Sequence, residues 1–277
     1  MRVIVCGVRG STPAPGQEFV RYGGHTSCIA LATGAGFPTL VLDAGTGLQR
    51  LGAQLEGRTF NGTILLSHLH WDHTHGLPFF SAGDRQDAQV TVLMPAQGDP
   101  VNVLARAMSP PHFPIKPTEL RGHWRFLGIQ TGERTVEGFQ VLAREIPHKG
   151  GLTYGYRISD SRNSIAYLSD HSPIAMGPGP QGFGAYHPTA LELTRGVDLL
   201  IHDAQYTAEE FPQKSSFGHS AIDYAIGLGS AARAKRVLLF HHDPPRTDDQ
   251  LDAIVAALPK GPIPVEAAAE GSVIDLG

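Results

Sequence analysis

Cysteine and long apolar runs are nearly absent from this sequence. Only two of its 277 residues are cysteine, Cys6 and Cys28. Two cysteines make no disulfide framework and are typical of a reducing compartment. No stretch approaches the roughly 20 apolar residues that a membrane-spanning helix needs. The apolar run before Gly7 is also too short for the core of a signal peptide. We therefore expect a cytoplasmic protein that does not bind a membrane.

An excess of basic charge is also missing. The formal net charge is -4 with neutral histidines, and the charged residues are scattered along the chain. The densest basic stretch, residues 233–236, fits the solvated end of a helix. Because nucleic-acid binders usually present a basic face or stripe, the charge pattern favours a small-molecule partner and disfavours nucleic acid as an obligatory substrate.

Histidine, in contrast, is abundant, and the richest segment is residues 68–75. Side chains two positions apart in an extended segment point the same way, so His68 and His70 can converge on one metal ion. Asp72 and His73 lie one step further along and are placed to serve a second ion. Imidazole nitrogen combined with carboxylate oxygen suits zinc, manganese or iron. The alternative, a polar surface loop with scattered histidines, is disfavoured by this clustering.

A site for two metal ions needs about seven protein ligands, so further ligands must come from elsewhere. His148 and Asp170 each follow an apolar run that predicts a strand. A carboxylate can bridge two ions, whereas an imidazole cannot. The alternatives are a surface histidine before a turn and a turn-forming aspartate. One of the neighbours His241 and His242 is expected to complete the second ion's ligands, and the spacing leaves the choice open.

Short apolar runs bounded by Gly, Pro, Asp or His predict strands, and amphipathic stretches predict helices. Strands are predicted at 3–6, 28–31, 40–42, 63–66, 90–94, 139–142, 164–168, 197–201 and 237–240. Helices are predicted at 45–55, at 220–232 and from Thr247, a candidate N-cap, to about residue 258. Residues 130–167 predict an antiparallel meander. We expect one α/β domain over residues 1–277, with two packed sheets and helices outside.

Five motifs, in order along the chain, resemble those of the metallo-β-lactamase superfamily. They are Asp43 after a strand, His68-x-His70-x-Asp72-His73, His148, Asp170 and His241. The resemblance implies an αββα four-layer sandwich and a dinuclear metal hydrolase. It implies that His68, His70 and His148 hold the first ion, that Asp72, His73 and His241 hold the second, and that Asp170 bridges them. It also implies that Asp43 supports the metal loop through hydrogen bonds without being a ligand.

The C-terminal third resembles the phosphodiesterase branch, which includes tRNase Z and the phosphoribosyl cyclic phosphodiesterase. Residues 202–205 resemble the branch's His-acid-Ala-Thr motif, with Gln205 where Thr is usual, and residues 218–220 resemble its Gly-His-Ser. Residues 240–244 resemble the branch's pattern of a strand followed directly by a histidine, and this alignment favours His241 as the ligand. Relatives in this branch are often dimers, so the resemblance implies a possible homodimer. Asp170 follows His148 by only 22 positions, which leaves no room for the long arm with which tRNase Z grips RNA.

The expected reaction is hydrolysis of a small or cyclic phosphodiester by a hydroxide shared between two divalent ions, most simply zinc, with manganese or iron as alternatives. Asp72 contributes to catalysis as a ligand. His219, or the pair His202 and His219, is the candidate acid for the leaving oxygen, with Asp203 orienting it. The alternative for His219 is a polar helix start without chemistry.

The candidate substrate-binding residues are His171, Ser11 and His25. The alternative for His171 is a solvent-exposed side chain. Residues 109–114 form a stiff loop that predicts a lid or substrate wall, or alternatively a surface turn.

Other functions compete with a small-molecule phosphodiesterase. One is an RNA-processing endoribonuclease of tRNase Z type that lacks the arm. A β-lactamase or thioester hydrolase is disfavoured by the motifs around His202 and His219. A non-catalytic, metal-loaded sensor or binding protein is a further alternative. Since no ligand of the expected set is missing, an enzyme is favoured.

Overall fold

Two mixed β-sheets form the centre of the computed structural model, which describes residues 1–258 and 261–277. The first sheet has the order β14-β1-β2-β3-β4-β5-β6. Its strands are β1 (Arg2–Gly7), β2 (Cys28–Ala32), β3 (Leu40–Leu42), β4 (Asn61–Leu65), β5 (Gln89–Pro95), β6 (His123–Ile129) and β14 (Val273–Asp275). From β3 to β6 the strands run parallel, and the pairings of β1 with β14 and β2 are antiparallel.

The second sheet has the order β13-β12-β11-β10-β9-β8-β7. Its strands are β7 (Gly132–Val136), β8 (Phe139–Glu145), β9 (Tyr154–Ser159), β10 (Ser164–Leu168), β11 (Leu199–Asp203), β12 (Val237–Phe240) and β13 (Val265–Ala267). Strands β7 to β10 form an antiparallel meander, and β10 to β13 run parallel.

Helices cover the outer face of each sheet. They are α1 (Gly47–Gln54), α2 (Pro100–Ala105), α3 (Pro188–Thr194), α4 (Phe211–Lys214), α5 (Ile222–Ala231) and α6 (Asp248–Ala257). One apolar cluster lies between the sheets, a second joins α1 and α2 to the first sheet, and a third joins α3 and α5 to the second. These layers confirm the predicted αββα sandwich.

The nine predicted strands are all present; three match the prediction at both ends, and the ends of the others differ from it by at most three residues. The predicted meander and the three predicted helices are also present. At α6, the Thr247 hydroxyl accepts a hydrogen bond from the backbone N–H of Gln250, and Gln250 Oε1 accepts one from the backbone N–H of Thr247, as the capping box requires. Strands β6, β13 and β14 and helices α2 to α4 were not predicted, because their short or partly exposed segments carry a weak periodic signal.

No helix among residues 1–258 and 261–277 is both long and apolar enough to cross a membrane.

Parallel pairing brings several strand ends to one edge of the second sheet. Leu168 of β10 lies beside His202 of β11, and Asp203 lies beside Phe240 of β12. The residues that follow these strands therefore meet at that edge, which is where open α/β sheets place ligands. Asp170 and His241 both belong to this group.

Leu40→Ala is expected to lower the free energy of unfolding by about 2–5 kcal/mol, because Leu40 is fully buried between the sheets and its truncation leaves a cavity. The matched control is Leu127→Ala, since Leu127 is 47% exposed and its truncation is expected to cost at most about 0.5 kcal/mol. Urea unfolding followed by circular dichroism measures both. Equal costs for the two variants would contradict the assignment of the inter-sheet core.

Candidate metal centre

The histidine-rich segment follows β4 and turns back on itself beside the second sheet. A single 3₁₀ turn, Trp71–His73, closes it, and the backbone N–H of His73 donates to the carbonyl of His70 at 3.0 Å. The turn buries Asp72 and His73 and leaves Trp71 exposed. The segment thereby presents its polar side chains inward.

Four side chains form a first group of possible metal ligands: His68, His70, His148 and Asp170. Each offers one ligand atom, and these atoms lie within 4.8 Å of one another. His148 Nε2 is 3.3 Å from His70 Nδ1 and 3.5 Å from Asp170 Oδ2. His68 Nε2 is 3.7 Å from the same Asp170 oxygen.

A second group consists of Asp72, His73, His241 and, again, Asp170. His73 Nε2 lies 3.0 Å from Asp170 Oδ1 and 3.2 Å from Asp72 Oδ2. His241 Nε2 lies 3.2 Å and 3.1 Å from the same two oxygens. The two oxygens of Asp170 are therefore divided between the groups, Oδ2 facing the first and Oδ1 the second.

Several atoms of these groups are buried and lack a hydrogen-bond partner among the described residues. They are Nε2 of His68, Nε2 of His73 and Oδ1 of Asp170. Leaving such atoms unpaired in a folded protein is costly. A cation in the first group would satisfy His68 Nε2, and a cation in the second would satisfy His73 Nε2 and Asp170 Oδ1. The nitrogen and oxygen donors also suit divalent transition metals. The residues present therefore fit divalent metal ions.

Outer partners orient the imidazoles. His68 Nδ1 lies 3.0 Å from Ser67 Oγ, and His73 Nδ1 lies 2.7 Å from Asp43 Oδ2. His148 Nδ1 lies 2.7 Å from the Gly218 carbonyl, and His241 Nδ1 lies 2.9 Å from Gln205 Oε1. In each pair the Nδ1–H is the natural donor, which leaves the Nε2 lone pair free to face the cluster. Such outer hydrogen bonds select the tautomer of a metal-binding histidine.

Asp43 is the hub of this outer set. It is fully buried, and besides His73 it accepts hydrogen bonds from the Ser67 backbone N–H at 2.6 Å, the Ser67 hydroxyl at 2.8 Å and the Tyr167 hydroxyl at 2.8 Å. Tyr167 lies on β10 of the second sheet, whereas Asp43 follows β3 of the first. Asp43 thus fixes the histidine-rich segment to both sheets, in agreement with its predicted supporting role.

The charges of the cluster also favour a cation. Burial alone would raise the pKa of Asp170, but His241, His73 and His68 hold it well below its usual range. Burial, followed by the neighbouring His73, lowers the pKa of His68 well below its usual value. Asp170 and His68 therefore favour the forms that bind metal, an ionised carboxylate and a neutral imidazole. Burial would lower the pKa of His73, but Asp72, Asp170 and Asp43 raise it well above its usual value, so a metal ion bound at His73 would displace a proton.

His219 lies beside this cluster and lines a cavity of about 330 Å³ with Ser11, Asp72 and Asp170. Its Nδ1 is 3.1 Å from Asp203 Oδ2 and 3.7 Å from Asp170 Oδ2. Burial would lower the pKa of His219, but the charge and hydrogen bond of Asp203, together with Asp170 and Asp72, raise it to about 9. The predicted pairing of His219 with Asp203 is therefore present.

His202 does not reach the cavity, so its predicted role as an acid needs correction. It is fully buried; its Nε2 lies 3.0 Å from His171 Nδ1 and its Nδ1 lies 2.6 Å from the Asp203 carbonyl. The reason is strand alternation, since neighbouring residues of a strand point to opposite faces. Asp203 therefore turns to the cluster, while the His202 ring packs against Tyr224 of α5.

Of the three predicted substrate-binding residues, the structure places Ser11 alone at the cavity. Its backbone N–H donates to Asp72 Oδ2 at 2.7 Å. His171 is fully buried, which contradicts the solvent-exposed alternative, and its Nε2 lies 2.9 Å from His187 Nε2. His25 does not line the cavity and instead has its Nδ1 2.9 Å from Glu270 Oε2.

The structure also separates the neighbours His241 and His242. His241 has a φ of 60°, which turns the chain and brings its side chain into the second ligand group. His242 Nε2 lies 2.9 Å from the Ala268 carbonyl. Burial lowers the pKa of His242 to about 3, so it is a neutral structural residue.

Three contributors to the site were not predicted as such: Ser67, Gln205 and the carbonyl of Gly218. Gln205 stands out in the sequence because it replaces a usual threonine, and the structure explains it as the partner of His241 Nδ1. Ser67 adjoins the histidine motif, but nothing in the sequence indicates its contact with Asp43. The Gly218 carbonyl is a backbone group and carries no residue-type signal.

Comparisons with known proteins identify the family of this chain. A family model described as "Beta-lactamase superfamily domain" matches residues 39–242. Ribonuclease Z of Limosilactobacillus fermentum is 26% identical over 220 residues, which cover 64% of this chain and 68% of that protein.

Solved structures are similar over nearly the whole chain. The metallo-beta-lactamase fold protein YhfI from Bacillus subtilis superposes with a TM-score of 0.72 at 19% identity, covering 99% of both chains. A diphosphatase from the PhnP family gives a TM-score of 0.69 at 17% identity, covering 100% of this chain and 98% of that one. At these identities the structural likeness concerns the fold.

Asp43→Asn is expected to weaken divalent-metal binding about 10–100-fold, because the amide cannot accept the His73 N–H as strongly or hold the ring in the ligating tautomer. Asparagine keeps the shape and tolerates the φ of 59° found at this position. Competition with a chromogenic chelator measures the affinity. Asp87→Asn, at an exposed aspartate of an edge loop, is the matched control, and equal affinities of the two variants would contradict the role of Asp43.

Proposed function

Since this chain belongs to the beta-lactamase superfamily and is a metal-dependent hydrolase of its tRNase Z-like branch, we propose that it is a phosphodiesterase for small or cyclic phosphodiesters. The proposed cofactors are two divalent ions, most simply zinc. We assign His68, His70 and His148 to the first ion, Asp72, His73 and His241 to the second, and Asp170 to both. This assignment follows the two ligand groups.

One observation carries the proposal: the two ligand groups share Asp170, and the His219–Asp203 pair lies directly beside them. An in-line displacement at phosphorus is promoted by a paired metal site with a proton donor beside it. A sensor has no need of the proton donor.

When bound at such a paired site, divalent ions lower the pKa of water towards neutrality and offset the negative charge of phosphoryl oxygens. Asp203 accepts the Nδ1–H of His219, so Nε2 is the nitrogen left for the cavity that His219 lines. We assign to this nitrogen the delivery of a proton to the leaving oxygen. Asp203 also accepts hydrogen bonds from the backbone N–H groups of His171 and Ser220, which hold its carboxylate in place.

A small substrate is supported by what lies between His148 and Asp170. Strands β9 and β10 and their short turn occupy most of this segment, so it forms a hairpin within the second sheet and no projecting arm. The basic stretch at residues 233–236 also supports a small substrate, because two of its charges are already paired with carboxylates of the same chain. Lys235 is paired with Asp198 and Arg236 with Glu266, which makes this stretch less suited to bind a nucleic-acid backbone.

The test is hydrolysis of bis(p-nitrophenyl) phosphate by protein of measured metal content. His68→Ala is expected to lower the metal content and reduce the rate to background, because a ligand is lost. His219→Ala is expected to keep the metal and lower kcat about 10²–10⁴-fold, which is the usual contribution of a general acid.

The matched control is His123→Ala, because His123 is an exposed histidine at the start of β6. This variant should retain both metal and rate. Well-loaded wild-type protein with no turnover under zinc, manganese or iron would overturn the proposed phosphodiesterase activity. A His219→Ala variant that matches His123→Ala would refute the assigned acid.

Ribonuclease Z activity is the second candidate, and the similarity to curated ribonuclease Z proteins favours it. With no arm between His148 and Asp170, we expect cleavage of a precursor tRNA with a 3′ trailer to be less efficient, in kcat/KM, than hydrolysis of bis(p-nitrophenyl) phosphate. Gel electrophoresis of the cleavage products measures it. Efficient, salt-sensitive cleavage that requires His68 would transfer the assignment to RNA processing.

A further inference from the structure

A second cavity, of about 330 Å³, adjoins the candidate metal centre on the side of α2. We call it the α2 cavity. Its walls come from the segment after the histidine motif and from residues 103–113, and they include Leu69, Phe79, Leu104, Met108 and Phe113. The proposed phosphodiesterase chemistry does not use these side chains.

Leu69 connects the two cavities, because it lines both the cavity of the metal centre and the α2 cavity. The same segment of chain serves both. His70, Trp71 and Asp72 line the metal side, and residues 74–79 line the α2 side. The two cavities are therefore adjacent, and a substituent on a phosphorus atom at the metal centre would have the α2 cavity beside it.

The chemistry of the α2 cavity selects the substituent. None of its described lining residues is Asp, Glu, Lys or Arg, so nothing in the wall compensates a full charge. The rings of Phe79 and Phe113 pack edge to face with centroids 5.8 Å apart, an arrangement that favours a further aromatic ring. Gln49, His75 and His112 add polar groups to the wall.

The proline-rich loop at residues 109–114 forms part of this wall. His112 and Phe113 of this loop line the α2 cavity, which supports the predicted substrate wall over a surface turn. Phe79 is 55% exposed, although aromatic side chains usually bury most of their surface. A bound ring would cover it.

We propose that the α2 cavity is a specificity subsite for a neutral aromatic substituent of the phosphodiester, such as an aryl group or a nucleobase. The proposal rests on the phosphodiesterase function above. It narrows the substrate to a diester with one flat, uncharged ring on the side of the phosphorus that faces α2.

The test compares two substrates with the same leaving group, phenyl p-nitrophenyl phosphate and methyl p-nitrophenyl phosphate. For the wild type we expect kcat/KM to be about tenfold higher for the phenyl ester, mainly through KM, which corresponds to the binding of one ring against aromatic walls. Phe79→Ala removes part of the wall, and Ala107→Trp fills the cavity from an exposed position. Both should bring the ratio close to one and leave the methyl ester unchanged.

Phe37→Ala is the matched control, because Phe37 has the same 55% exposure but lies in the turn between β2 and β3. It should retain the wild-type ratio. A wild-type ratio near one, or a high ratio that survives both Phe79→Ala and Ala107→Trp, would overturn the proposed subsite.

Binding without turnover separates this proposal from the proposed function. Calorimetric titration of the metal-loaded protein with phenylphosphonate and methylphosphonate reports on the cavity even when neither diester is hydrolysed. If phenylphosphonate binds more tightly than methylphosphonate and Ala107→Trp abolishes the difference, the subsite is supported even when the protein hydrolyses neither diester. Equal binding of the two phosphonates, with both diesters hydrolysed at equal rates, would refute the subsite and leave the activity standing.

Discussion

The buried carboxylate of Asp170 is the constraint around which the candidate site is organised. Its two oxygens face different groups of imidazoles, and no hydrogen bond from a described residue satisfies Oδ1. Placing an ionised group at this depth is costly unless positive charge lies beside it. The surrounding histidines lower the pKa of Asp170, and metal ions would supply the same compensation more fully. The site is therefore best understood as a negatively charged cage whose folding and metal binding are coupled.

The cage depends on both sheets. His68 and His73 follow a strand of the first sheet, whereas Asp170 and His241 follow strands of the second. Hydrogen bonds cross between the sheets beside them, from the Tyr167 hydroxyl to Asp43 and from the Tyr156 hydroxyl to the Leu66 carbonyl. The packing of the inter-sheet core thereby sets the separation of the ligand groups. This explains how ligands that lie in loops just beyond the strands can be held rigidly.

Backbone strain is also found in this region, which holds three of the six non-glycine residues with positive φ among those described. Ser11, Asp43 and His241 all have positive φ although none is glycine. Such conformations cost energy and persist where the surroundings enforce them, commonly at functional sites. Here each one aims a group at the cluster: the Ser11 N–H at Asp72, the Asp43 carboxylate at His73, and the His241 ring at Asp72 and Asp170.

The sequence by itself determined the ligand types, the strands that carry them and the layer order, because these depend on local spacing and apolar periodicity. Spacing alone identified four candidate ligands, His68, His70, Asp72 and His73. The family resemblance implied the αββα sandwich. The spacing left open which of His241 and His242 joins the cluster, and the family resemblance favoured His241. The tertiary structure brings His241 into the cluster through a left-handed backbone turn that the sequence does not predict. The same holds for His202, which strand alternation turns away from the cavity, and for Gln205 and Ser67, whose partners are distant in sequence. Outer-sphere partners and cavities arise from contacts between separate strands and loops, and those contacts exist only once the two sheets have packed.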